Sequence, residues 1–247
     1  MSVDPEVVTP EATSPPEVRW GMGDALAGNL AIYIASFAAF AVAVAVFGPD
    51  VLDGDMPLWR TALFQVPVWV GLLGAPLWAT YRKGLRSLVD DFGLRMRWVD
   101  IPLGLGIGLV GQLALALVVT VVYRALGIDL DRVGESAEAL TGAAVDPFSV
   151  VLLVLVAVVV APVLEELFYR GLWLRAAERR IGRVGAVLLT SAVFGIVHLQ
   201  PYDFVALAGF GLLLGVLTVR TGRLGPAIWA HVAFNLTAVI NLLALSS

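Results

Sequence analysis

Charged side chains are absent from long stretches of this chain, and the intervals between those stretches are short. Uncharged or histidine-only runs occupy 25–49, 61–81, 101–123, 147–164, 184–202, 204–219 and 224–247. Each approaches the roughly 20 apolar residues that an α-helix needs to cross the hydrocarbon core of a bilayer. Backbone polar groups in lipid must be satisfied within the segment, so runs of this kind predict helices. The pattern predicts an all-α, polytopic membrane helix bundle of about seven transmembrane helices, with eight as the alternative count.

Composition agrees with this. The 247 residues are 59% hydrophobic and only 15% charged, and the mean hydropathy is +0.89, far above the soluble globular range. Gly104, Gly106, Gly108 and Gly111 in the third run, and the Gly211-xxx-Gly215 spacing in the sixth, are expected to form close helix–helix contacts. Residues 1–20 contain Pro5, Pro10, Pro15 and Pro16 with scattered acids, which predicts a disordered Pro-rich tail without a signal-peptide core. N-terminal transmembrane helices are expected over 21–140 and a catalytic transmembrane core over 141–247.

Charge assigns an orientation and removes several partner classes. Arg82, Lys83, Arg86, Arg95 and Arg97 form one basic segment, and Arg170, Arg175, Arg179, Arg180 and Arg183 form another. Arg220, Arg223 and Arg19 join them, leaving Arg60, Arg124 and Arg132 for the other side. Basic loops favour the cytoplasm, so the N-terminus is expected there, with a site opening to the cytoplasm. The net charge of −4 is spread over the loops, so no nucleic acid is expected as a partner. Absence of cysteine excludes disulfides and thiolate ligands. The expected partners are membrane lipid and a protein or peptide substrate; oligomeric state is not encoded.

Candidate chemistry is concentrated where charge is costly. Glu165, Glu166 and Arg170 follow directly on the uncharged run 147–164, and each such charge at membrane depth costs about 2.5–3.5 kcal/mol on insertion scales. Glu166 and Arg170 stand at i and i+4 and can pair, whereas Glu165 points about 100° away from Glu166. Glu166–Arg170 is therefore expected to be a neutralised structural pair, and Glu165 the carboxylate left free to face water as a general base. A charge cluster snorkelling to the interface is the bland alternative. Pro162 removes a backbone hydrogen bond just before the acids, which suggests a cavity there.

The two histidines of the chain lie in later runs. His198 ends the run containing Phe194, and His231 and Asn235 share one face of the last helix at i and i+4. A hairpin turning near Ile181-Gly182 would place Glu165, about sixteen residues before it, level with His198, about sixteen after it. His231 fits this level less well, because it begins only about eight residues after Arg223, a mismatch that shrinks if 171–183 lies partly along the interface. Glu165 and His198 could share one water or one metal ion. A catalytic zinc takes three protein ligands, and Glu165, His198 and His231 are the candidates, although the same groups can act on water without metal.

Glu-Glu-xxx-Arg at 165–170, Phe-xxx-His at 194–198 and His-xxx-Asn at 231–235, in that order, resemble the CPBP family. The family is named for CAAX proteases and bacteriocin-processing proteins and is also called the Abi family of intramembrane proteases. The resemblance covers about 145 to 240. It implies a helical membrane endopeptidase in which Glu165 activates the attacking water and His198 helps to hold that water or a metal such as zinc. His231 and Asn235 would stabilise the oxyanion, with Glu166 and Arg170 as the supporting pair. Two rival readings use the same residues: a non-catalytic membrane adaptor or immunity protein, and a proton-coupled small transporter.

Overall fold

A computed structural model of the chain describes residues 18–48, 51 and 56–246. Most of the tail expected over 1–20 lies outside the described residues. Its last residues, Val18 to Trp20, are packed onto the bundle, with Trp20 buried.

The uncharged runs become helices, as required of backbone with no water to bond. In chain order these are α1 (Met22–Phe47), α2 (Leu58–Lys83), short α3 (Leu88–Phe92), α4 (Asp100–Leu126) and α5 (Glu135–Gly142). A continuous stretch follows: α6 (Pro147–Leu153), a wide π turn (Val154–Val160), α7 (Ala161–Glu165), a second π turn (Glu166–Trp173) and α8 (Leu174–Val197). Helices α9 (Phe204–Thr221) and α10 (Gly225–Ser246) complete the bundle.

Six helical stretches among the described residues are long and apolar enough to cross a membrane, not the seven separate runs expected. The difference arises because 147–164 and 184–202 fall within one unbroken stretch, Pro147–Val197. Its backbone stays helical through the arginines and changes direction at the single residue Gly182, whose φ of 71° suits glycine. The two legs fold together: the rings of Tyr169 and Phe194 lie 5.3 Å apart, thirteen residues before Gly182 and twelve after it. The predicted hairpin is present, without a loop.

Close approach of helices follows the glycines, with one exception. A Cβ on Gly104 would lie 2.5 Å from Trp229 Cβ and 2.7 Å from the Pro226 carbonyl oxygen. Gly108 faces the Ala230 backbone even more tightly, and Gly111 faces Leu213. Gly104, Gly108 and Gly111 thus seat α4 on α10 and α9. Gly106, expected with them, points to the outside with nothing within 4 Å, because it lies two residues, about 200°, from Gly104. Gly211 and Gly215 let α9 approach Ser191 and Val187 of α8.

The two ends of the bundle are closed differently. At the basic end, Asp91 accepts from Trp20 Nε1 at 2.8 Å, from the Leu85 amide at 2.8 Å and from the Thr80 hydroxyl. Arg179 stacks on Trp20, Arg223 pairs with buried Asp100 at 2.5 Å, and Arg175 bonds the carbonyls of Phe92 and Gly222. Arg175 is therefore level with the α9–α10 turn, and the α8 segment between it and Gly182 projects past that level. At the other end, Tyr123 donates to the Tyr202 carbonyl and the Gly134 amide donates to Asp203.

Candidate active site

The site is assembled around the two π turns. Each widens the helix locally, and such turns often accompany functional positions. In the first turn the Ala161 amide bonds the Val156 carbonyl, five residues back. The next amide in that register would be residue 162, which is proline and has none. The Ala157 carbonyl is taken instead by the side chain of Asn235, whose Nδ2 donates to it at 2.8 Å. Asn235 thereby ties α10 to the helix carrying the acids. That bond engages its Nδ2, and neither Asn235 nor His231 is among the residues lining the cavity.

The two adjacent glutamates separate as the helix geometry predicts. Glu166 is fully buried, and its Oε1 accepts from Arg170 Nη1 at 3.0 Å and faces His231 Nδ1 at 2.9 Å. Arg170 is 1% exposed, reaches the Gly211 carbonyl at 3.3 Å and lies 4.3 Å from the centre of the Phe194 ring. Breaking one partner of such a pair would strand a buried charge. Glu165 turns to the cavity instead, with its side chain 19% exposed.

His198 shares that cavity with Glu165. Its Nδ1 lies 2.6 Å from the Phe194 carbonyl oxygen, which can only accept. Nδ1 therefore carries the proton, and Nε2 is left with its lone pair. His231 also joins the cluster, although chain counting placed it nearer the basic surface. Its Nδ1 is held by Glu166, and its Nε2 lies 3.8 Å from Glu165 Oε2. Counting from Gly182 overstated the depth of Glu165, because the projecting part of α8 lies beyond the α9–α10 turn.

The cavity measures about 640 Å³. It runs from Asn29 and Leu72 toward Phe40, Thr61 and Gln200, and so toward the end carrying Arg60, Arg124 and Arg132. The basic end, where a cytoplasmic opening was expected, is plugged by Trp20, Phe92, Phe168, Leu172 and Trp173. Sequence reasoning also missed the wall opposite the acids. Asn29, Tyr33 and Ser36 on α1, with Thr61 and Gln65 on α2, form polar stripes at helical spacing in otherwise apolar runs. That periodicity was the available signal. Tyr169, one turn beyond Glu165, lines the cavity as well.

Of the candidate metal ligands, Glu165 lies 3.8 Å from His231 Nε2 and shares the cavity with His198. Among the described residues no three His, Cys, Asp or Glu side chains are grouped closely enough to hold an ion. His231 is anchored through Nδ1 on Glu166 and His198 through Nδ1 on a carbonyl oxygen, anchorages that metal-ligating histidines also use.

Comparison with known proteins bears on the same helices. Residues 147–237, which contain every acid and histidine of the cluster, match the family described as Type II CAAX prenyl endopeptidase Rce1-like. The matched stretch carries the three motifs that resemble the CPBP family. A Bacillus subtilis (strain 168) protein named "Putative membrane peptidase YdiL" is 29% identical over 162 residues. That similarity covers 65% of this chain and 61% of the relative, less than two-thirds of the relative's length. No solved structure matches the chain. Within the matched stretch, Glu165 and His198 face the cavity while Glu166, Arg170 and His231 support them from the core.

Proposed function

We propose that the protein is an intramembrane endopeptidase that hydrolyses peptide bonds of membrane-associated polypeptides, with Glu165 as the general base. The observation that carries this reading is the shared cavity of Glu165 and His198, a carboxylate and an imidazole with a free Nε2 on one wall at membrane depth.

Glu165 takes a proton from a water in the cavity, and the resulting hydroxide attacks the scissile carbonyl carbon. His198 Nε2 accepts the second hydrogen of that water and fixes its direction, since Nδ1 is anchored on the Phe194 carbonyl. The protonated Glu165 then gives its proton to the departing amine as the tetrahedral intermediate collapses. Glu166 orients His231 through Nδ1, which leaves its Nε2 3.8 Å from Glu165 Oε2, a gap that one water donating to both can bridge. Arg170 neutralises Glu166, so the buried support carries no uncompensated charge beside the reacting groups.

The decisive experiment is cleavage of a fluorogenic peptide panel by purified protein in proteoliposomes, comparing wild type with Glu165→Gln. Loss of cleavage with retained thermal stability supports the reading. Equal cleavage by both proteins overturns it.

A further inference from the structure

The arginine distribution and the direction of the cavity disagree with a site served from the cytoplasm. Once buried Arg170 is set aside, twelve of the remaining fifteen Lys and Arg residues lie at the plugged end of the bundle. Three lie at the other end, toward which the cavity extends. An excess of Lys and Arg in short loops marks the cytoplasmic side. The cavity therefore faces away from the cytoplasm.

Its lining adds a second restriction. Among the described residues no Lys or Arg lines the cavity, and the one acid is Glu165. The remaining wall is uncharged, with Ser36, Thr61, Gln65 and Gln200 interleaved with aromatic side chains. A free C-terminal carboxylate held close to the scissile bond would meet a like charge in a poorly solvated space, with no Lys or Arg of the described lining to offset it. An uncharged stretch within a longer polypeptide meets neither obstacle, and its backbone groups find amide and hydroxyl partners.

Resting on the peptidase reading above, we infer that the site is entered from the non-cytoplasmic side and takes an internal, uncharged segment of a membrane-anchored polypeptide, not a carboxyl terminus delivered from the cytoplasm.

The natural chain contains no cysteine, so single thiols report cleanly on sidedness. Val145→Cys marks an exposed loop at the arginine-poor end, Gln200→Cys the cavity, and Arg180→Cys the basic end. With a membrane-impermeant maleimide on intact cells, the thiols at 145 and 200 are expected to react, and that at 180 only after permeabilisation. The reverse pattern overturns the inference. Reaction at 145 without reaction at 200, even in the permeabilised sample, also overturns it.

Segment preference is read without turnover and with Glu165 in place, since its charge is the one at issue, as protection of the thiol at 200 by peptides carrying a non-hydrolysable isostere at the central bond. An uncharged peptide blocked at both ends is expected to slow labelling more than the same peptide with a free carboxylate. Equal or better protection by the free acid overturns that half of the inference. Because neither readout needs turnover, failure of the peptidase reading shows up separately, as absent cleavage by wild-type protein.

Discussion

Asn235 stands in for the backbone amide that Pro162 lacks. Its side-chain N–H bonds the Ala157 carbonyl at 2.8 Å, the position that the wide turn would otherwise leave to residue 162. A histidine-containing helix and an acid-bearing helix are thereby joined by one hydrogen bond at a point where the helix could not satisfy itself.

The first expectation concerns that bond. Asn235→Ala leaves the Ala157 carbonyl without its partner and should cost about 1–3 kcal/mol of stability. Pro162→Ala restores an N–H nearby, so the cost of losing Asn235 should shrink in that background. A double-mutant cycle by thermal unfolding in detergent measures the coupling. Strict additivity of the two changes would count against it.

Glu165 and Arg170 should respond in opposite ways. Glu165→Gln removes a group facing the cavity and is expected to reduce cleavage by at least about 10²-fold with little change in melting temperature. Arg170→Met strands the buried Glu166 carboxylate and should destabilise the protein by about 3–5 kcal/mol. Thermal unfolding alongside peptide cleavage separates the two, and a stable Arg170→Met protein would refute the assignment of the pair.

Helix packing offers a matched comparison along α4. Gly108→Leu drives a side chain into the Ala230 backbone, one residue before His231, and should cost about 1–3 kcal/mol through overpacking. Gly106→Leu projects into open space and should leave stability and cleavage unchanged. Melting curves of the two variants test this, and equal damage from both would contradict the packing described.

Asp203 should make stability depend on pH. Burial pushes its carboxyl above the ordinary carboxylate range, against the lowering effects of the Gly134 amide and His198. The folded protein therefore holds this proton more tightly than the unfolded chain does. That contribution is fully present below the ordinary carboxylate pKa and is lost as pH rises through the raised folded value. Asp203→Asn keeps an acceptor for the Gly134 amide without a charge. Its melting temperature relative to wild type should improve between about pH 4 and about pH 7. A constant difference across that range would remove Asp203 as the cause.

Treatment with a chelator addresses the uncommitted metal question. The proposed mechanism routes no step through a metal, so cleavage that depends on Glu165 is expected to survive dialysis against EDTA. Loss of activity restored by added zinc would show that the side chains regroup around an ion.

Much of the site could be read from the chain because its logic is local. The pairing of Glu166 with Arg170 and the separation of Glu165 follow from residues one and four positions apart on a helix, and both are found. The hairpin bringing Glu165 and His198 to one cavity followed from nearly equal counts on either side of Gly182. His231 was misjudged because its depth depends on where α8 passes the α9–α10 turn, which no count along one helix contains. The bond from Asn235 to the Ala157 carbonyl is not legible for a related reason: it is defined by a π turn that hydropathy does not reveal.

The sequence by itself determined that this is a bundle of membrane-crossing helices with its acids and histidines at depth, because the cost of unsatisfied backbone and of buried charge acts residue by residue. Only the tertiary structure decided that the basic end is plugged, that the cavity runs the other way, and that two stripes on α1 and α2 form its far wall. Those features arise where side chains distant in the chain exclude or admit space between helices, and that depends on how the helices pack and not on what each contains.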